Sequence, residues 1–370
     1  MANIEKILED NKKITEKQLV IEYLGHTYNV FDKDYTLLTD EQYEKILRDW
    51  YSKPNFDNVR KEFGMILDDS IMMPNITKYY FRELMDNTIK YNCHWSINEV
   101  LANKLLTSII VYKVGKNAKV FTGGNLVDNM DTQFRIGGSP LVSKAGQFPI
   151  KTAVEILDHY NINNNWYDFS CGWGARLCTA LGEQINYFGT DPNYLLVEKL
   201  TELYNDFRKY QFNRMKADIR CQGSEVFVPE WENKIGLAFS SPPYFKLEDY
   251  RVGEQSCGEN TDYSDWLNGY YKPTMRNIHK YLIDDGFMIV NIKDYGKFTL
   301  EADTIKCAEE CGFELYKTES LEQGCRYGGS NEHKKLEKAV KLNSNENIYV
   351  FRKKDSNAKK KNDFVFGGLI

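Results

Sequence analysis

The chain has 370 residues, of which 42% are hydrophobic and 27% are charged, a balance typical of globular proteins with a substantial core. Its formal net charge of -5 disfavours a protein that binds nucleic acid by bulk electrostatics, although a local basic surface could still do so. No apolar run has transmembrane length, and the start, MANIEKILED, lacks the apolar centre of a signal peptide, so we expect a soluble, cytoplasmic protein without a membrane partner.

The cysteines show no pattern of a metal site. No CxxC pair and no histidine spacing suited to zinc occurs among the eight of them. We therefore expect no metal and free thiols, as in a reducing compartment.

Residues 1–130 are predicted to form a mainly helical N-terminal domain. Thr39 stands three places before Gln42 in a capping signature. FDNVRKEFGM and the helical stretch around ITKYYFREL have a glycine between them, which resembles a helix-turn-helix that reads DNA. An ordinary helical hairpin is the alternative. The glycine-rich stretch from Thr122 to Gly146 predicts a loop or hinge, so we place the domain boundary near residue 130.

From Phe148 onward, strands and helices alternate, which predicts an α/β fold with a mainly parallel sheet. The predicted strands lie in NNWYDFS, INYFGTD, KADIRCQ, KIGLAFSS and GFMIVNIKDY. Two further strands could close the sheet as an antiparallel hairpin. The second domain is then 131–353, followed by a basic tail, 354–370.

The stretch LAFSSPPYF is the clearest local signal. Its apolar run predicts a buried strand of a parallel sheet, and the prolines cannot donate to a ladder, so the strand must end at Ser241. Ser241, Pro242 and Pro243 then form a rigid elbow. Ligands of open α/β sheets bind just beyond the carboxyl ends of strands, so the elbow could hold a flat, hydrogen-bonding group. An ordinary Pro-Pro turn is the alternative.

A glycine turn follows an earlier strand, in DFSCGWGARL. Gly172 and Gly174 allow a close approach of the backbone to a ligand at a helix N-terminus, and Asp191 ends the next strand, where an acid commonly binds ribose hydroxyls. The third glycine of a dinucleotide fingerprint is absent, since Leu177 stands there. This pattern favours an adenosine-type ligand without a pyrophosphate.

Taken together, DFSCGWG, the strand ending in Asp191 and SSPPY resemble the amino-group DNA methyltransferases, over about residues 145–352. The resemblance implies the Rossmann-like class I methyltransferase fold with a seven-stranded sheet, and S-adenosyl-L-methionine as cofactor. It also implies transfer of a methyl group to the exocyclic amine of a base flipped out of DNA. One departure is Phe169, where the family usually has proline.

The resemblance also assigns roles to individual positions. The implied cofactor-binding residues are Phe148, Pro149, Asp168, Ser170, Gly172 and Gly174 near the methionine end, Asp191 at the ribose, and Asp218 or Glu225 beside the adenine. The implied catalytic residues are Ser241, Pro242, Pro243 and Tyr244. Acceptors at Ser241 and Pro242 would hold the amine hydrogens, and Tyr244 would stack on the base.

The residues that contact DNA are less defined. Phe245 or Tyr250 could close the other side of the base. Arg326 could bind a guanine edge from an insertion between the final strands. An ordinary solvated loop is the alternative for this insertion.

The target base and the biological role leave several options open. The serine form of the motif resembles the N4-cytosine enzymes, so we favour cytosine N4 over adenine N6. A methyltransferase for RNA or protein glutamine, and a non-catalytic DNA-binding module, compete with this reading of the sequence. No cysteine stands beside the elbow, which excludes ring-carbon methylation. A restriction endonuclease partner fits the resemblance, and the oligomeric state is open.

Overall fold

The structure is a computed structural model that describes residues 20–23, 26–29, 37–67, 73–91, 93–116, 125–136, 142–210, 215–258, 261–321 and 346–354. Arg326 and the basic tail beyond residue 354 lie outside these residues. The chain divides into two compact units. Unit 1 is Met1–Asn55, Arg82–Gly146 and Glu248–Val252, and unit 2 is Phe56–Phe81, Gln147–Leu247 and Gly253–Ile370.

The helices in chain order are α1 (Asp40–Tyr51), α2 (Phe56–Leu67), α3 (Pro74–Tyr80), α4 (Arg82–Met85), α5 (Ile97–Leu101), α6 (Lys104–Lys116), α7 (Leu126–Ile136), α8 (Ile150–Tyr160), α9 (Ala175–Gly182), α10 (Tyr194–Phe207), α11 (Tyr263–Trp266), α12 (Lys272–Tyr281) and α13 (Leu300–Glu310). A π-helix, Leu267–Tyr271, joins α11 to α12. The strands are β1 (Val20–Tyr23), β2 (His26–Asn29), β3 (Ile89–Lys90), β4 (Asn165–Asp168), β5 (Asn186–Asp191), β6 (Ala217–Cys221), β7 (Ile235–Ser240), β8 (Glu248–Asp249), β9 (Leu282–Ile292), β10 (Phe313–Leu321) and β11 (Glu346–Lys353).

Unit 1 is mainly helical. Thr39 caps α1 through a capping box with Gln42, as the sequence predicts. Its core contains Trp50 of α1, Ile109 of α6, and Met130 and Phe134 of α7. Two short antiparallel pairs, β1–β2 and β3–β8, add to the helices.

Helix α7 corrects the loop predicted between Thr122 and Gly146. Val127, Met130 and Phe134 recur at helical spacing and are buried in the core of unit 1. The polar residues between them are typical of turns and hid this period. Tertiary burial of the apolar stripe therefore decides the helix.

Of the helices predicted as a helix-turn-helix, α2 and α3 belong to unit 2. Gly64 lies inside α2 and not in a turn. Phe63 stacks on Phe207 of α10 with ring centroids 4.1 Å apart, and the hydroxyl of Tyr80 donates to Asp206 at 2.6 Å. The units therefore do not follow a boundary near residue 130, because α2 and α3 bury their apolar sides against α10.

Unit 2 contains a seven-stranded sheet of order β10-β11-β9-β7-β4-β5-β6. The pairs from β9 through β7, β4 and β5 to β6 are parallel, and β11 pairs antiparallel with both β9 and β10. This confirms the predicted mainly parallel sheet with an antiparallel terminal hairpin. From β4 the chain moves outward through β5 to β6 and then returns to β7 on the other side of β4.

That reversal of direction creates a topological switch point between β4 and β7. Right-handed crossovers that progress in opposite directions put their helices on opposite faces of the sheet. On one of these faces, α12 and α13 contribute Met275 and Ala308 to the core. The same core contains Tyr167 of β4 and Ala238 of β7. The carboxyl ends of β4 and β7 therefore flank the topological switch point, where open α/β sheets bind ligands.

Candidate cofactor and substrate site

The glycine turn between β4 and α9 forms as the sequence predicts. Gly172 and Gly174 have φ angles of +56° and +77°, which side chains rarely adopt. A Cβ at Gly174 would also lie 2.6 Å from the ring of Phe81. Helix α9 begins directly after this turn, so its first N–H groups point to the carboxyl edge of the sheet.

Asp168 holds the turn together and has no exposed surface. Its Oδ2 accepts from Arg176 Nε at 2.8 Å and from the Tyr187 hydroxyl at 2.7 Å. Arg176 also donates to the Ser170 carbonyl. The carboxylate is thus bonded inside the protein and supports the turn, and its contact with a cofactor stays a prediction.

Asp191 lies at the carboxyl end of β5 and is partly exposed. Its carboxylate accepts from the backbone N–H of Asn193 at 3.0 Å and from that of Gly172. Burial raises the pKa of Asp191 to about 7, and nearby Asp168 adds to this, although the two N–H donors oppose the shift. The glycine turn and the end of β5 are therefore joined by one carboxylate.

Glu225 follows β6 in the loop that begins at Gly223. Its Oε2 is buried and has no hydrogen-bond donor within the part of the chain that the structure describes. Such an acceptor costs free energy until a donor reaches it. A ligand that brings an N–H group to this carboxylate would therefore be stabilised there.

Tyr270 brings the predicted residues into one place. Its hydroxyl lies 3.3 Å from Ser170 Oγ and also bonds to Ser224. Burial raises the pKa of Tyr270 to about 12, and the charges of Glu225 and Asp191 add to the shift. The ends of β4, β5 and β6 thus converge around one phenol. Tyr270 belongs to none of the sequence motifs. Its one signal in the sequence is Pro273, which interrupts the helical pattern next to the π-helix.

Asp218 does not belong to this group. It pairs in register with Phe188, three residues before Asp191, so it lies away from the carboxyl edge. Its carboxylate accepts from Arg220 at 2.6 Å and from the indole N–H of Trp231 at 2.9 Å. Of the two carboxylates predicted beside the adenine, Asp218 therefore lies away from this edge, and the role of Glu225 stays a prediction.

Phe148 and Pro149 lie next to the glycine turn. Gln147, directly before them, donates to the carbonyl of Trp173 at 3.2 Å. The Phe148 ring contacts Phe239 of β7 edge-on, with centroids 5.1 Å apart, and Pro149 is the N-cap of α8. These contacts place the start of α8 between the ends of β4 and β7.

The elbow stands at the carboxyl end of β7. Ser240 Oγ donates to the Ser170 carbonyl at 3.3 Å, so the end of β7 contacts the glycine turn. Pro242 is buried, whereas Ser241 and Pro243 are partly exposed. The Tyr244 hydroxyl lies 3.5 Å from Ser241 Oγ and donates to the carbonyl of Asn291 at 3.2 Å.

Asn291, near the end of β9, fixes this tyrosine. Its side-chain Oδ1 lies 3.4 Å from the Tyr244 hydroxyl, and its Nδ2 donates to the Asn347 carbonyl on β11 at 3.2 Å. Asn291 belongs to none of the sequence motifs. A single amide in the apolar run GFMIVNI is its only signal in the sequence.

The predicted DNA-contacting residues differ in their surroundings. Phe245 is 4% exposed, has a φ of +51°, and contacts the rings of Tyr263 and Phe298 with centroids 5.2 and 5.0 Å apart. Its ring packs in the core, and its contact with a base stays a prediction. Tyr250 belongs to unit 1, where its hydroxyl donates to Glu248 at 3.2 Å. Arg326 lies outside the described residues.

The strand order is that of the Rossmann-like class I methyltransferase fold. Similar solved structures include a TehB-like SAM-dependent methyltransferase from Corynebacterium glutamicum, 17% identical over 54% of this chain and 86% of the other, with a TM-score of 0.35. Another is 1,6-didemethyltoxoflavin-N1-methyltransferase from Burkholderia thailandensis with bound S-adenosylhomocysteine, 11% identical over 55% and 77%, with a TM-score of 0.36. A third is a mycolic acid cyclopropane synthase, 15% identical over 55% and 88%, with a TM-score of 0.34.

No protein-family model and no curated protein matches the chain. The assignment of the fold rests on the strand order and not on these likenesses. Within the described residues, no helix combines the length and the apolar character needed to cross a bilayer.

Proposed function

We propose that this protein transfers a methyl group from S-adenosyl-L-methionine to the exocyclic amine of a base in DNA, with N4 of cytosine favoured over N6 of adenine. The observation that carries the proposal is the meeting of the elbow with the glycine turn. Ser240, the last residue of β7, bonds to Ser170 of that turn, and Ser241 and Tyr244 follow directly.

The residues around the glycine turn fit the cofactor. Asp191 offers a carboxylate to ribose hydroxyls, and Glu225 offers a buried oxygen without a donor in the described structure to the adenine amine. Gly172 has no side chain, so its backbone can come close to the methionine end beside Ser170. Bound there, S-adenosyl-L-methionine supplies an electrophilic methyl group.

The elbow fits the amine. The lone pair of an exocyclic amine is delocalised into the ring, so the nitrogen is a weak nucleophile. Ser241 Oγ and the Pro242 carbonyl can accept the two amine hydrogens and hold the nitrogen out of the ring plane. Positive charge grows on that nitrogen as it reacts, so these acceptors stabilise the transition state more than the ground state.

Tyr244 supplies the stacking face for the base. Its hydroxyl is held by Ser241 and Asn291, which fixes the ring without using its face. Stacking of a base on an aromatic side chain contributes about 1–3 kcal/mol. The base must leave the duplex to reach the ring, which favours a flipped nucleotide as substrate.

The choice of cytosine N4 rests on the serine at position 241, in which the chain resembles the N4-cytosine enzymes. Adenine presents a similar amine beside a ring nitrogen and is the second candidate. RNA or protein glutamine as the substrate, and a non-catalytic DNA-binding role, are weaker candidates. We also propose a restriction endonuclease as a partner of this protein.

The test is methyl transfer from labelled cofactor to unmethylated DNA, followed by digestion to nucleosides. We expect label in N4-methylcytosine. Label in N6-methyladenine would change the base, and no label in DNA with cofactor binding intact would refute the proposal. RNA and a glutamine peptide serve as competing substrates.

Two variants then test the elbow. Ser241→Ala should lower turnover by about 10²–10³-fold, the effect of removing one hydrogen-bonding group that acts on the transition state. Tyr244→Ala should abolish turnover, because it removes the stacking face. Both should leave cofactor affinity nearly unchanged. A collapse of cofactor binding in either variant would show that the elbow belongs to the cofactor site.

A further inference from the structure

A cleft of about 470 Å³ lies just beyond the elbow, lined by Phe245, Lys246, Thr261, Asp262, Tyr263, Lys297 and Phe298. Its volume is within the range of about 300–1,000 Å³ typical of ligand clefts. Phe245 follows the end of β7, and Lys297 and Phe298 follow the end of β9. The cleft therefore adjoins the elbow at the carboxyl edge of the sheet.

The walls of the cleft are aromatic. Phe298 and Tyr263 are partly exposed, and their ring centroids lie 5.0 Å apart. The Tyr263 hydroxyl donates to Asp303 at 2.7 Å, which holds this wall in place against α13. Partly exposed rings of this kind offer faces or edges to a planar group.

The rim of the cleft carries two exposed lysines. Lys246 Nζ lies 5.4 Å from the centroid of the Phe245 ring, and Lys297 Nζ lies 5.8 Å from that of Phe298. The left-handed backbone of Phe245 turns its ring into the core and leaves the next residue, Lys246, exposed. One carboxylate, Asp262, is also on the rim and is exposed.

We propose that this cleft binds the nucleotide next to the methylated one, with its base against Phe298 and Tyr263 and its phosphate at Lys246 and Lys297. This inference rests on the proposed function, because it takes the substrate to be a polynucleotide. It adds a local basic contact to a chain whose net charge is -5. Binding there is independent of sequence, since the lysines contact phosphate and not base edges.

The experiment measures binding of a short, fluorescently labelled single-stranded DNA of mixed sequence to the full chain by anisotropy, from about 50 to about 200 mM salt. The combined variant Lys246→Gln and Lys297→Gln should weaken binding and reduce the slope of log K against log salt by about 1 per lysine. Asp262→Asn should tighten binding, since it removes a like charge from the phosphate site. All three side chains are exposed, so the fold should not change.

Lys280→Gln is the matched control. Lys280 is also exposed and lies 4.6 Å from the centroid of an aromatic ring, that of Phe227, but it stands before the start of β9, at the opposite edge of the sheet. Its substitution should leave affinity and salt slope unchanged. A double variant with the slope of the wild type, or a wild type that does not bind the strand, would overturn the proposal.

The methyl-transfer assay separates the two proposals. If lysine-dependent binding is found but no methyl group reaches any DNA, the proposed function fails and the cleft stands. If DNA is methylated and the double variant keeps the KM for DNA and the salt slope of the wild type, only the cleft fails.

Discussion

Two regions of this protein bury carboxylates among polar groups, and the carboxylates of the two regions have different hydrogen-bond partners. In unit 1, Arg82, Asp86, Asp131 and Lys144 form a closed charge cluster, each 6% exposed or less. Asp131 Oδ1 accepts from Lys144 at 2.5 Å and from Arg82 at 3.2 Å, and Oδ2 accepts from Arg135 at 2.6 Å. At the carboxyl edge of unit 2, Asp191 instead meets backbone N–H groups, and one oxygen of Glu225 has no donor among the described residues.

The difference distinguishes a closed structural network from carboxylates that stay accessible. Asp86 Oδ1 also lacks a donor within the described part of the chain, and burial raises the pKa of Asp86 to about 6 against the charges of Lys144 and Arg82. However, Asp86 has no exposed surface. Asp191 and Glu225 are partly exposed. An incompletely bonded carboxylate therefore indicates a site only where a ligand can reach it.

Asp131→Asn should give the largest effect, by opening the closed charge cluster. Burial alone would raise the pKa of Asp131, but Lys144, Arg135 and Arg82 outweigh it and hold the pKa below its usual range. Breaking a buried ion pair by removing one partner costs about 3–5 kcal/mol of folding free energy. We expect a clear loss of stability of unit 1, measured by thermal or denaturant unfolding, with cofactor binding retained.

Asp49→Asn is the control in the same unit. Asp49 pairs with Lys45 at 2.5 Å on the exposed side of α1, and an exposed pair of this kind contributes about 0.3–0.5 kcal/mol.

The depressed pKa of Asp131 also predicts a pH dependence of folding. The contribution of Asp131 to stability is present above its unfolded pKa and is lost as the pH falls through its folded pKa. Equal unfolding curves for Asp131→Asn and wild type would contradict the buried-pair interpretation.

Gly223→Ala should disturb the carboxyl edge without unfolding it. A Cβ at Gly223 would lie 2.2 Å from both carboxylate oxygens of Glu225, a flexible side chain that can move away. If Glu225 accepts from the cofactor, as we propose, the displaced carboxylate can no longer do so. We expect cofactor affinity measured by calorimetry to fall by about 1.5–3 kcal/mol, the value of a hydrogen bond to a charged group.

Gly64→Ala is the matched glycine control. Gly64 lies inside α2 with no atom within 4 Å of an added Cβ. It should stabilise the protein by about 0.5–1 kcal/mol and leave cofactor affinity unchanged. If Gly223→Ala binds the cofactor as tightly as wild type, Glu225 does not hold the adenine.

The smallest expected effect is a dependence of cofactor affinity on pH through Asp191. Its pKa is about 7 in the free protein, and ribose hydroxyls bound there, as we propose, would favour the ionised carboxylate. Affinity should therefore fall by up to about tenfold, about 1.4 kcal/mol, between pH 7 and pH 6. Calorimetry in two buffers of different ionisation enthalpy should show proton release on binding near neutral pH.

Asp191→Asn should bind the cofactor more weakly and without this dependence. The sign for folding is the opposite of that for binding, because a raised folded pKa stabilises the native state at low pH. That contribution is lost as the pH rises through about 7. A proton release that persists in Asp191→Asn would assign the titration to another group.

The sequence by itself determined the local geometry of the site. Proline cannot continue a strand and glycine accepts positive φ, so the elbow after β7 and the turn after β4 follow from Pro242, Pro243, Gly172 and Gly174 alone. The alternation of strands and helices likewise predicted the parallel sheet. These features depend on neighbours in the chain, and sequence patterns report such neighbours directly.

Only the tertiary structure decided which of these side chains are enclosed by partners and which stay accessible. Asp168 is taken up by Tyr187 on the next strand, and Tyr244 is fixed by Asn291, 47 residues later. Phe245 turns into an aromatic core, whereas Glu225 keeps an oxygen without a donor in the described structure. Burial and pairing depend on groups that are distant in sequence, so no local pattern could separate a supporting carboxylate from one that is open to a ligand.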